Sequence, residues 1–494
     1  MDGTHDDGRR VSRRTFLAIG GLGTVSFLAT RKGARANTPK KPGYGGLVPD
    51  PGGLVDLPRG FQYRIISGQD ARLSNGAPVP GDHDGMAAFR GPGNTTVLTR
   101  NHELGFMDKA ESPVVGKNPY DRTERGGTTG VLVGPDRREI SSFVISSGTR
   151  NNCAGGATPW GTWLTCEEDR TTDHGYVFEV DPRAPENGLS KTPIRQMGFF
   201  SHEAVVVDPA TGIVYLTEDD FRGFVVPDPE DETPGTRMRV SFLYRYLPDI
   251  RPRRPGHLQR GGKLQVMSLE ESPRYNADLA APRQRFGVIW KNVDPEEPHA
   301  DAKSQNAARF NRLEGACLAG GSLWFSDTMG GEQRLGQVFR YRPATELLEL
   351  FYEGVKPGKM ESPDNIVVTP WGDLWFAEDE TVEGNKKNRM AGITPDGQVY
   401  VFASNRLNNS EFAGPTFSPD GKTFFVNLQN PGITLAIWGP FREPSGRNQR
   451  RLAAAPPPGS STPGISERLT EVADRYGMKH LEAAAYERLG ALPT

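Results

Sequence analysis

A strand–turn–strand pattern recurs six times along the chain and constrains the fold more than any other feature of the sequence. Each copy places a turn that ends in glycine between two short apolar strands, and the turn glycines are Gly93, Gly161, Gly212, Gly321, Gly372 and Gly421. Three of the intervals between successive turn glycines are 51, 51 and 49 residues. A period near 50 residues is typical of β-propellers, in which each blade is a four-stranded sheet.

Internal similarity and composition favour the same architecture. The segment Thr158-Pro-Trp-Gly-Thr-Trp-Leu is similar to Thr369-Pro-Trp-Gly-Asp-Leu-Trp, and both span a predicted hairpin turn. The 59 glycines and 41 prolines favour many turns over long helices. The sequence therefore predicts an all-β fold, a six-bladed β-propeller, in which the strand at residues 61–67 completes the last blade and closes the ring.

The first 36 residues have the features of an export signal. Ser12-Arg13-Arg14-Thr15-Phe16-Leu17 resembles the twin-arginine motif, an apolar run follows at residues 18–30, and Ala34-Arg35-Ala36 matches an A-x-A cleavage site. A membrane anchor is the alternative, but the apolar run is short and glycine-rich for a hydrocarbon layer of about 30 Å. We therefore expect recognition by the twin-arginine export machinery, a periplasmic or secreted location and no stable membrane anchor.

The remaining sequence divides into a propeller domain and a C-terminal extension. We assign residues 37–442 to the β-propeller, residues 443–464 to a Pro-rich linker and residues 465–494 to a tail with the apolar spacing of a short docking helix. Two charged, Pro-rich insertions, at roughly 221–240 and 251–311, lie within the propeller. We expect these insertions to cover the functional site.

Charge and cysteine content exclude some classes of protein. The chain has 59 basic and 61 acidic residues, so its net charge of -2 gives no overall reason to expect nucleic acid or an anionic membrane as a partner. We expect a monomer. Cys166 and Cys317 lie in apolar runs and are expected to be buried hydrophobic residues, whereas Cys153 opens a glycine-rich element. A Cys153–Cys166 disulfide is an alternative.

Acidic residues recur at the same end of five hairpins. The first strands open with Asp84, Cys153, Glu203, Glu314 and Asp364, and the second strands end with Glu103, Glu167–Glu168, Glu218–Asp219, Asp327 and Glu378–Asp379. Because the two positions are neighbours in an antiparallel hairpin, a closed ring would gather them at one mouth of its central channel. A solvated turn explains any single acid equally well, but recurrence in five hairpins favours a common site. The sixth hairpin lacks these acids.

The chemistry of this predicted ring indicates metal binding. Many carboxylates with few histidines select hard cations such as Ca²⁺, and a thiol among them indicates an additional transition metal. His102 and His202 flank the acids and are expected to donate hydrogen bonds to them rather than to bind metal. We predict metal ligands at Glu103, Cys153, Glu167, Glu168, Glu203, Glu218, Glu314, Asp364 and Glu378.

Arg312 is the candidate for substrate binding. It lies two residues before Glu314 and so on the same face of an extended strand. A guanidinium beside several cations suits the oxygens of a phosphoryl group, although pairing with Glu167 or another acid of the ring is the alternative. Phosphoryl transfer to water fits this arrangement, while the spacing alone leaves a lactonase or esterase open.

The sequence resembles the PhoX-type alkaline phosphatases, a family of exported propeller enzymes whose first described group carries iron and calcium. The resemblance extends from about residue 47 to 441. It is most specific in N-C-A-G-G-x-T-P-W-G-T-W-L-T-C-E-E at residues 152–168, S-H-E-A at 201–204, D-P-x-T-G-x-V-Y-x-T-E-D at 208–219 and R-L-E-G at 312–315. This chain is shorter than the larger members, which leaves the range of substrates open.

The resemblance implies particular roles and cofactors. Cys153 would bridge two irons, Glu168, Glu203 and Glu314 would be carboxylate ligands, and Arg312 would bind the substrate phosphate. Cys153, Arg312 and Glu314 are thus the expected catalytic residues, Fe³⁺ and Ca²⁺ the expected cofactors, and small phosphomonoesters the expected substrates, hydrolysed at alkaline pH. The alternatives are a calcium-dependent propeller lactonase or esterase and a non-catalytic calcium-binding propeller.

Overall fold

The computed structural model describes residues 42–444, except 69, 106–107, 172, 221–239, 271–279, 356–359 and 380–386, together with residues 25–26. The rest of the predicted export signal, the predicted linker beyond residue 444 and the tail predicted to be helical lie outside the described residues. Within the described part the protein is all-β, as predicted, with one short α-helix, α1 (Pro298–Ser304). Three 3₁₀ helices cover Gly188–Lys191, Arg195–Met197 and Leu258–Arg260.

The described strands form five sheets. In spatial order, a four-stranded sheet contains β5 (His83–Arg90), β6 (Thr96–His102), β7 (Gly126–Val133) and β8 (Glu139–Thr149), and a three-stranded sheet contains β11 (Val177–Val180), β10 (Trp163–Glu167) and β9 (Asn152–Ala157). A nine-stranded sheet contains, in spatial order, β12 (His202–Val207), β13 (Val214–Glu218), β14 (Leu243–Pro248), β15 (Gly262–Leu269), β16 (Arg285–Asn292), β20 (Leu347–Glu353), β19 (Gln337–Arg342), β18 (Ser322–Asp327) and β17 (Leu313–Ala319).

The other two sheets contain strands from both ends of the described chain. They are β2 (Leu47–Val48), β3 (Val55–Pro58), β24 (Val399–Asn405), β23 (Arg389–Ile393), β22 (Leu374–Glu378), β21 (Pro363–Val368); and β1 (Val25–Ser26), β4 (Gln62–Gly68), β27 (Ile433–Trp438), β26 (Phe424–Leu428), β25 (Phe412–Phe417). In each of these two sheets, a strand from the N-terminal part of the described chain pairs with a strand from its C-terminal part: β3 pairs with β24, and β4 pairs with β27.

All six predicted hairpins form antiparallel pairs, namely β5–β6, β9–β10, β12–β13, β17–β18, β21–β22 and β25–β26. The first strand of each hairpin packs against the first strand of the next, and β25 packs against β5, so the first strands form a closed cycle. This arrangement is propeller-like. The sequence predicts six separate blades, whereas the structure has five sheets, because β16 pairs with β20 and joins two meanders into one sheet.

The predicted closure of the ring is confirmed. Strand β4 pairs with β27 from Gly68 opposite Ile433 to Gln62 opposite Trp438. One buried apolar cluster joins Leu57 and Tyr63 near the N-terminal end of the described chain to Trp375 and Leu435 near its C-terminal end. Burial of apolar surface between these strands therefore holds the two ends of the propeller together.

A β-bulge interrupts the first strand of every hairpin at the same place. On either side of it, His83 pairs with His102 and Met86 with Arg100, so that two residues of β5 face one residue of β6. The other five hairpins show the same shift of register. The first residues of the six bulges are Asp84, Cys153, Glu203, Glu314, Asp364 and Gly414. A bulge redirects side chains and ends regular pairing, so it gives these positions a common orientation.

The second residue of the bulge is glycine or alanine in four of the six hairpins. A Cβ atom added to Gly85 would lie 2.6 Å from the carbonyl oxygen of Cys153 and 2.7 Å from the Cα atom of Ala154. A Cβ atom on Gly315 would collide with the carbonyl oxygen of Asp364. Close backbone contact between neighbouring hairpins therefore requires glycine at these two positions.

Of the predicted insertions, residues 221–239 lie outside the described part, and the region 251–311 contributes β15, β16 and α1. Among the described helices, none has both the length and the apolar character needed to cross a bilayer.

Replacing Leu435 by alanine tests the closure of the ring. Leu435 is completely buried in the cluster that joins the two ends, so we expect its loss to lower the free energy of unfolding by about 2–5 kcal/mol. The matched control Val115→Ala, at a side chain that is 66% exposed, should change it by less than about 0.5 kcal/mol. Urea unfolding followed by circular dichroism measures both, and equal effects would contradict the proposed closure.

Candidate metal centre

The bulges bring acidic side chains from different hairpins together. Glu203, Glu314 and Asp364 each place a carboxylate oxygen within 4.8 Å of the other two. All three residues are buried, and so is Asp84 at the equivalent position of β5. The prediction that the first strands direct acids to one mouth of the ring therefore agrees with the geometry.

The carboxylates in this cluster repel one another. Burial raises the pKa values of Asp84, Glu203 and Glu314 well above their usual range, and neighbouring carboxylates raise them further. Burial, and then the charge of Asp379, raise the pKa of Asp364 to about 7. These shifts mean that the cluster holds more negative charge than its protein surroundings stabilise, which is the electrostatic condition for binding cations.

A second set of acids directly follows the second strands. Glu168 is buried, and its pKa is raised first by burial and then by Asp219, Glu103 and Glu203. Asp219 is also buried, and its Oδ1 atom has no hydrogen-bond partner among the described residues. These residues therefore belong to the same charged cluster as the bulge acids.

The acids at the last position of the second strands have other partners. Glu167 accepts hydrogen bonds from Nδ1 of His174 at 2.7 Å and from the backbone N–H groups of Arg150 and Gly175 at 2.9 Å each. Glu378 accepts two hydrogen bonds from Arg389, at 2.7 and 2.8 Å. These contacts anchor the end of each strand beside the residue that enters the cluster.

Glu218 is anchored in the same way. It accepts hydrogen bonds from the backbone N–H of Phe242, the hydroxyl of Tyr244 and Nδ1 of His299, the last at 2.7 Å. His299 lies on α1, so this helix of the 251–311 insertion braces the strand end next to Asp219. We therefore interpret Glu167, Glu218 and Glu378 as supporting residues, although the sequence predicts them as ligands. Asp327, at the same position of β18, accepts from the backbone N–H of Asn311.

Arg312 is held by carboxylates from three hairpins. Its guanidinium lies 2.9 Å from Asp219, 2.5 Å from Glu314 and 3.2 Å from Asp379. The alternative of pairing with acids of the ring is thus observed, and it places the guanidinium inside the predicted site. Its backbone has a φ of 63°, in the left-handed region that non-glycine residues rarely adopt.

Cys153 lies at the boundary between the charged cluster and the apolar core. Its Sγ donates to the carbonyl oxygen of His202 at 3.2 Å, and burial followed by the charges of Glu203 and Glu168 raises its pKa well above the usual value. Cys166 is fully buried in an apolar cluster, as predicted, whereas Cys317, also expected to be buried, is only partly buried. All three are free thiols, so the alternative Cys153–Cys166 disulfide is not formed.

The expected role of the two histidines is wrong. His102 bonds through Nδ1 to the carbonyl of Gly81 and through Nε2 to the hydroxyl of Thr129. His202 bonds through Nε2 to the carbonyl of Gly198, and its Nδ1 has no hydrogen-bond partner in the described structure. Both rings are fully buried and serve the packing of the strand ends rather than the carboxylates.

Sequence reasoning missed Glu411, in the hairpin that lacks acids at the expected positions. Burial raises its pKa well above the usual range, followed by the charges of Asp379, Asp364 and Asp84, so it lies near the same cluster. Glu411 directly precedes β25 but lies three residues before the bulge residue Gly414, whereas Arg312 lies two residues before Glu314. Among the residues that precede the other five first strands only Asp82 is acidic, so no recurring pattern in the sequence pointed to Glu411. Gln429, which donates to Glu103 at 2.7 Å, occupies the sixth hairpin's position after the second strand.

The residues present fit the expected cations. Clustered buried carboxylates offer the hard oxygen donors that Ca²⁺ and Fe³⁺ accept, and the unpartnered Oδ1 of Asp219 needs a positive partner. Cys153 adds a sulfur donor beside Glu203, with which it interacts. Bound as a thiolate, this sulfur would favour a transition metal over Ca²⁺.

Comparison with known proteins places the chain in a family. A family model described as alkaline phosphatase PhoX matches residues 42–144 and 136–432. The chain belongs to this family. The matched ranges contain every bulge acid, Arg312 and Cys153, so the PhoX match covers the whole candidate centre. No curated protein matches the chain.

Solved structures are similar only at low identity. A protein proposed to be a gluconolactonase shares 12% identity at a TM-score of 0.37, covering 79% of this chain and 96% of its own. A gluconolactonase from Xanthomonas campestris shares 15% at 0.39, covering 81% and 99%, and the pyranose dehydrogenase PQQ domain of Coprinopsis cinerea shares 10% at 0.31, covering 78% and 97%. We draw no functional conclusion from TM-scores below 0.5.

Removing one buried carboxylate should change how stability depends on pH. The pKa of Asp364 is about 7 in the folded protein against an ordinary 3.8, so the folded state keeps a proton that the unfolded state releases. Its contribution to stability therefore falls as the pH rises from about 4 to about 7. With chelator present, Asp364→Asn should gain stability relative to the wild type across this range.

Urea unfolding of the wild type and of Asp364→Asn at several pH values measures the difference between their free energies of unfolding. The contributions of other titrating groups cancel in this difference. The control Asp136→Asn, at a side chain that is 62% exposed, should show no such trend. A difference between wild type and Asp364→Asn that does not change with pH would contradict the predicted repulsion.

Proposed function

We propose that this protein is a metal-dependent alkaline phosphatase that hydrolyses small phosphomonoesters and releases inorganic phosphate. The observation that carries the proposal is a buried carboxylate cluster with one guanidinium, Arg312, at its centre, in a chain of the alkaline phosphatase PhoX family. Such a cluster attracts cations, and a guanidinium beside cations attracts a phosphate group.

We assign Fe³⁺ and Ca²⁺ as the cofactors. The donors that would hold them are Cys153, Glu168, Glu203, Glu314 and Asp364. These side chains come from β9, β12, β17, β21 and the residue after β10, and nearby positive charge does not neutralise them fully. When bound, the cations supply Lewis-acid chemistry, drawing charge from the phosphoryl oxygens and lowering the pKa of the attacking water. Glu103 also remains a proposed ligand, whereas Glu167, Glu218 and Glu378 support the strand ends.

The protein's own residues then orient the substrate. Arg312 offers a planar set of N–H donors that can bind two phosphoryl oxygens at once, which fixes the direction of in-line attack. Asp219 and Asp379 hold the guanidinium from two sides and so limit its rotation. Glu314 pairs with the same guanidinium and sits at a bulge, so it links substrate orientation to the cation site.

We further propose that the six hairpin meanders act as six blades around the site, and that the chain is exported by the twin-arginine route to the periplasm or beyond. The first 36 residues carry the motif for this route. We also propose a monomer. A folded state before export would allow the carboxylates to take up cations in the cytoplasm.

Hydrolysis of a chromogenic phosphomonoester at alkaline pH tests the proposed function. The full-length protein, exported and loaded with iron and calcium, should release inorganic phosphate and should leave a lactone and a carboxylic ester intact. Elemental analysis of the same sample reports iron and calcium. No turnover of several phosphomonoesters at full metal content would refute the proposal, and turnover of the lactone alone would establish the lactonase alternative.

Cys153→Ala should lower both iron content and phosphatase activity. Loss of the sulfur donor at the bulge leaves carboxylates, which suit hard cations, so we expect iron to fall toward background while calcium remains, and activity to fall at least about tenfold. Cys317→Ala is the matched control, because it removes a partly buried thiol in another part of the fold. Full activity in Cys153→Ala would exclude a role for the thiol.

Arg312→Lys should weaken binding of the phosphoryl group while preserving the charge. Lysine lacks the planar donor pair, and a hydrogen bond between charged groups contributes about 1.5–3 kcal/mol, so we expect kcat/KM to fall roughly 10- to 100-fold. Inhibition by inorganic phosphate should weaken in parallel. Unchanged inhibition, with metal content equal to the wild type, would show that Arg312 does not contact phosphate.

A further inference from the structure

The end of the propeller opposite the carboxylates carries a different kind of surface. Strands β9 and β12 each have six residues, so their turns lie about 17 Å from the ends that carry Cys153 and Glu203. The two turns, which contain Trp160 and Gly212, lie on this opposite face. The loop between β14 and β15 runs beside them, because Arg251 and Pro252 contact the second turn.

This loop is strongly basic. Within ten residues, 251–260, it has four arginines, all exposed: Arg251, Arg253, Arg254 and Arg260. In the described structure their hydrogen bonds go to neutral groups, from Arg251 to the carbonyl of Pro209 and from Arg254 to His257, and none of the four pairs with a carboxylate. Their charge is therefore available to an anion outside the chain.

Aromatic and apolar groups accompany these charges. A cavity of about 260 Å³ lies between the loop and the turns, with Trp160, Pro209, Arg251 and Arg253 in its wall. Ile250, directly before the first arginine, is 37% exposed, and it is one of few large apolar side chains in the described chain that are this exposed. An exposed aliphatic residue and a half-buried indole beside arginines are typical of the interface between water and lipid.

The surface is held rigidly. The indole N–H of Trp160 donates to one carboxylate oxygen of buried Glu179 at 2.7 Å, and the backbone N–H of Gly256 donates to the other at 2.9 Å. Glu179 thus ties the turn and the basic loop to one point of the core. A pre-ordered set of groups loses less conformational entropy on binding than a mobile loop would.

We propose that this face, comprising Trp160, Ile250 and residues 251–260, binds reversibly to an anionic phospholipid surface. The guanidinium groups would contact lipid phosphates, while Trp160 and Ile250 enter the headgroup region. The carboxylate cluster at the other end would then face solvent, open to soluble substrates. The net charge of -2 for the whole chain hides this separation of charge between the two ends.

Vesicle sedimentation of the full-length protein tests the proposal. We expect binding to vesicles of phosphatidylcholine mixed with phosphatidylglycerol, little binding to phosphatidylcholine alone, and release of the protein at high salt. The double variant Arg251→Gln/Arg253→Gln should bind the anionic vesicles about 30-fold more weakly. The variant should hydrolyse a soluble phosphomonoester at the same rate as the wild type, because the loop is remote from the carboxylates.

The matched control is Arg283→Gln/Arg285→Gln, which removes the same charge from two exposed arginines that pair with Glu349 on another part of the surface. It should bind vesicles as the wild type does. Equal weakening by both double variants, equal binding to neutral vesicles, or displacement by millimolar inorganic phosphate would overturn the proposal, and the last result would indicate a site for small anions. Phosphomonoester hydrolysis is measured separately, so a lack of vesicle binding would leave the proposed function unaffected.

Discussion

Repulsion between buried carboxylates is the constraint on which the rest of the structure depends. Burial disfavours the ionised forms of Asp84, Glu168, Glu203, Glu314 and Asp364. Arg312 offsets only part of the charge of the cluster, through Asp219, Glu314 and Asp379. A cluster of this kind persists only where surrounding packing is strong enough to impose it. The apolar cores between the sheets supply that packing, and the excess negative charge that remains in the cluster is the basis for the proposed cation binding.

The geometry of the cluster comes from one device repeated around the ring. In four hairpins the residue just before the first strand has a positive φ, between 41° and 63°, namely Asp82, Asn151, Arg312 and Ser362. The bulge follows two residues later and directs its first side chain into the cluster. Left-handed backbone at non-glycine residues costs free energy and persists where the surroundings over-determine it. Its recurrence at one position gives these four hairpins the same backbone geometry at the end that carries the carboxylates.

The sequence was sufficient to predict the hairpins, the closure of the ring by β4 and the convergence of Glu203, Glu314 and Asp364, because periodicity and turn chemistry are local signals. It could not separate Glu167 from Glu168 or Glu218 from Asp219, since neighbouring residues on a strand face opposite sides and the decision depends on the unseen bulge. Partners distant in sequence, such as His299 for Glu218, carry no local signal. Glu411 was hidden for the same reason, as the sixth hairpin keeps the backbone geometry but not the acids.

Because the donors come from different hairpins, no single sheet can form the centre. Strands β4 and β27 join the two ends of the described chain, and β5 packs against β25 at the same junction. Asp84 and Glu411 flank that junction, and Asp84 contributes to the raised pKa of Glu411. Closing the ring therefore completes the charged cluster. The proposed cations would stabilise the closed state in return, because a ligand that binds only the folded form shifts the equilibrium toward it. Under this proposal, folding, ring closure and cation binding form one coupled equilibrium.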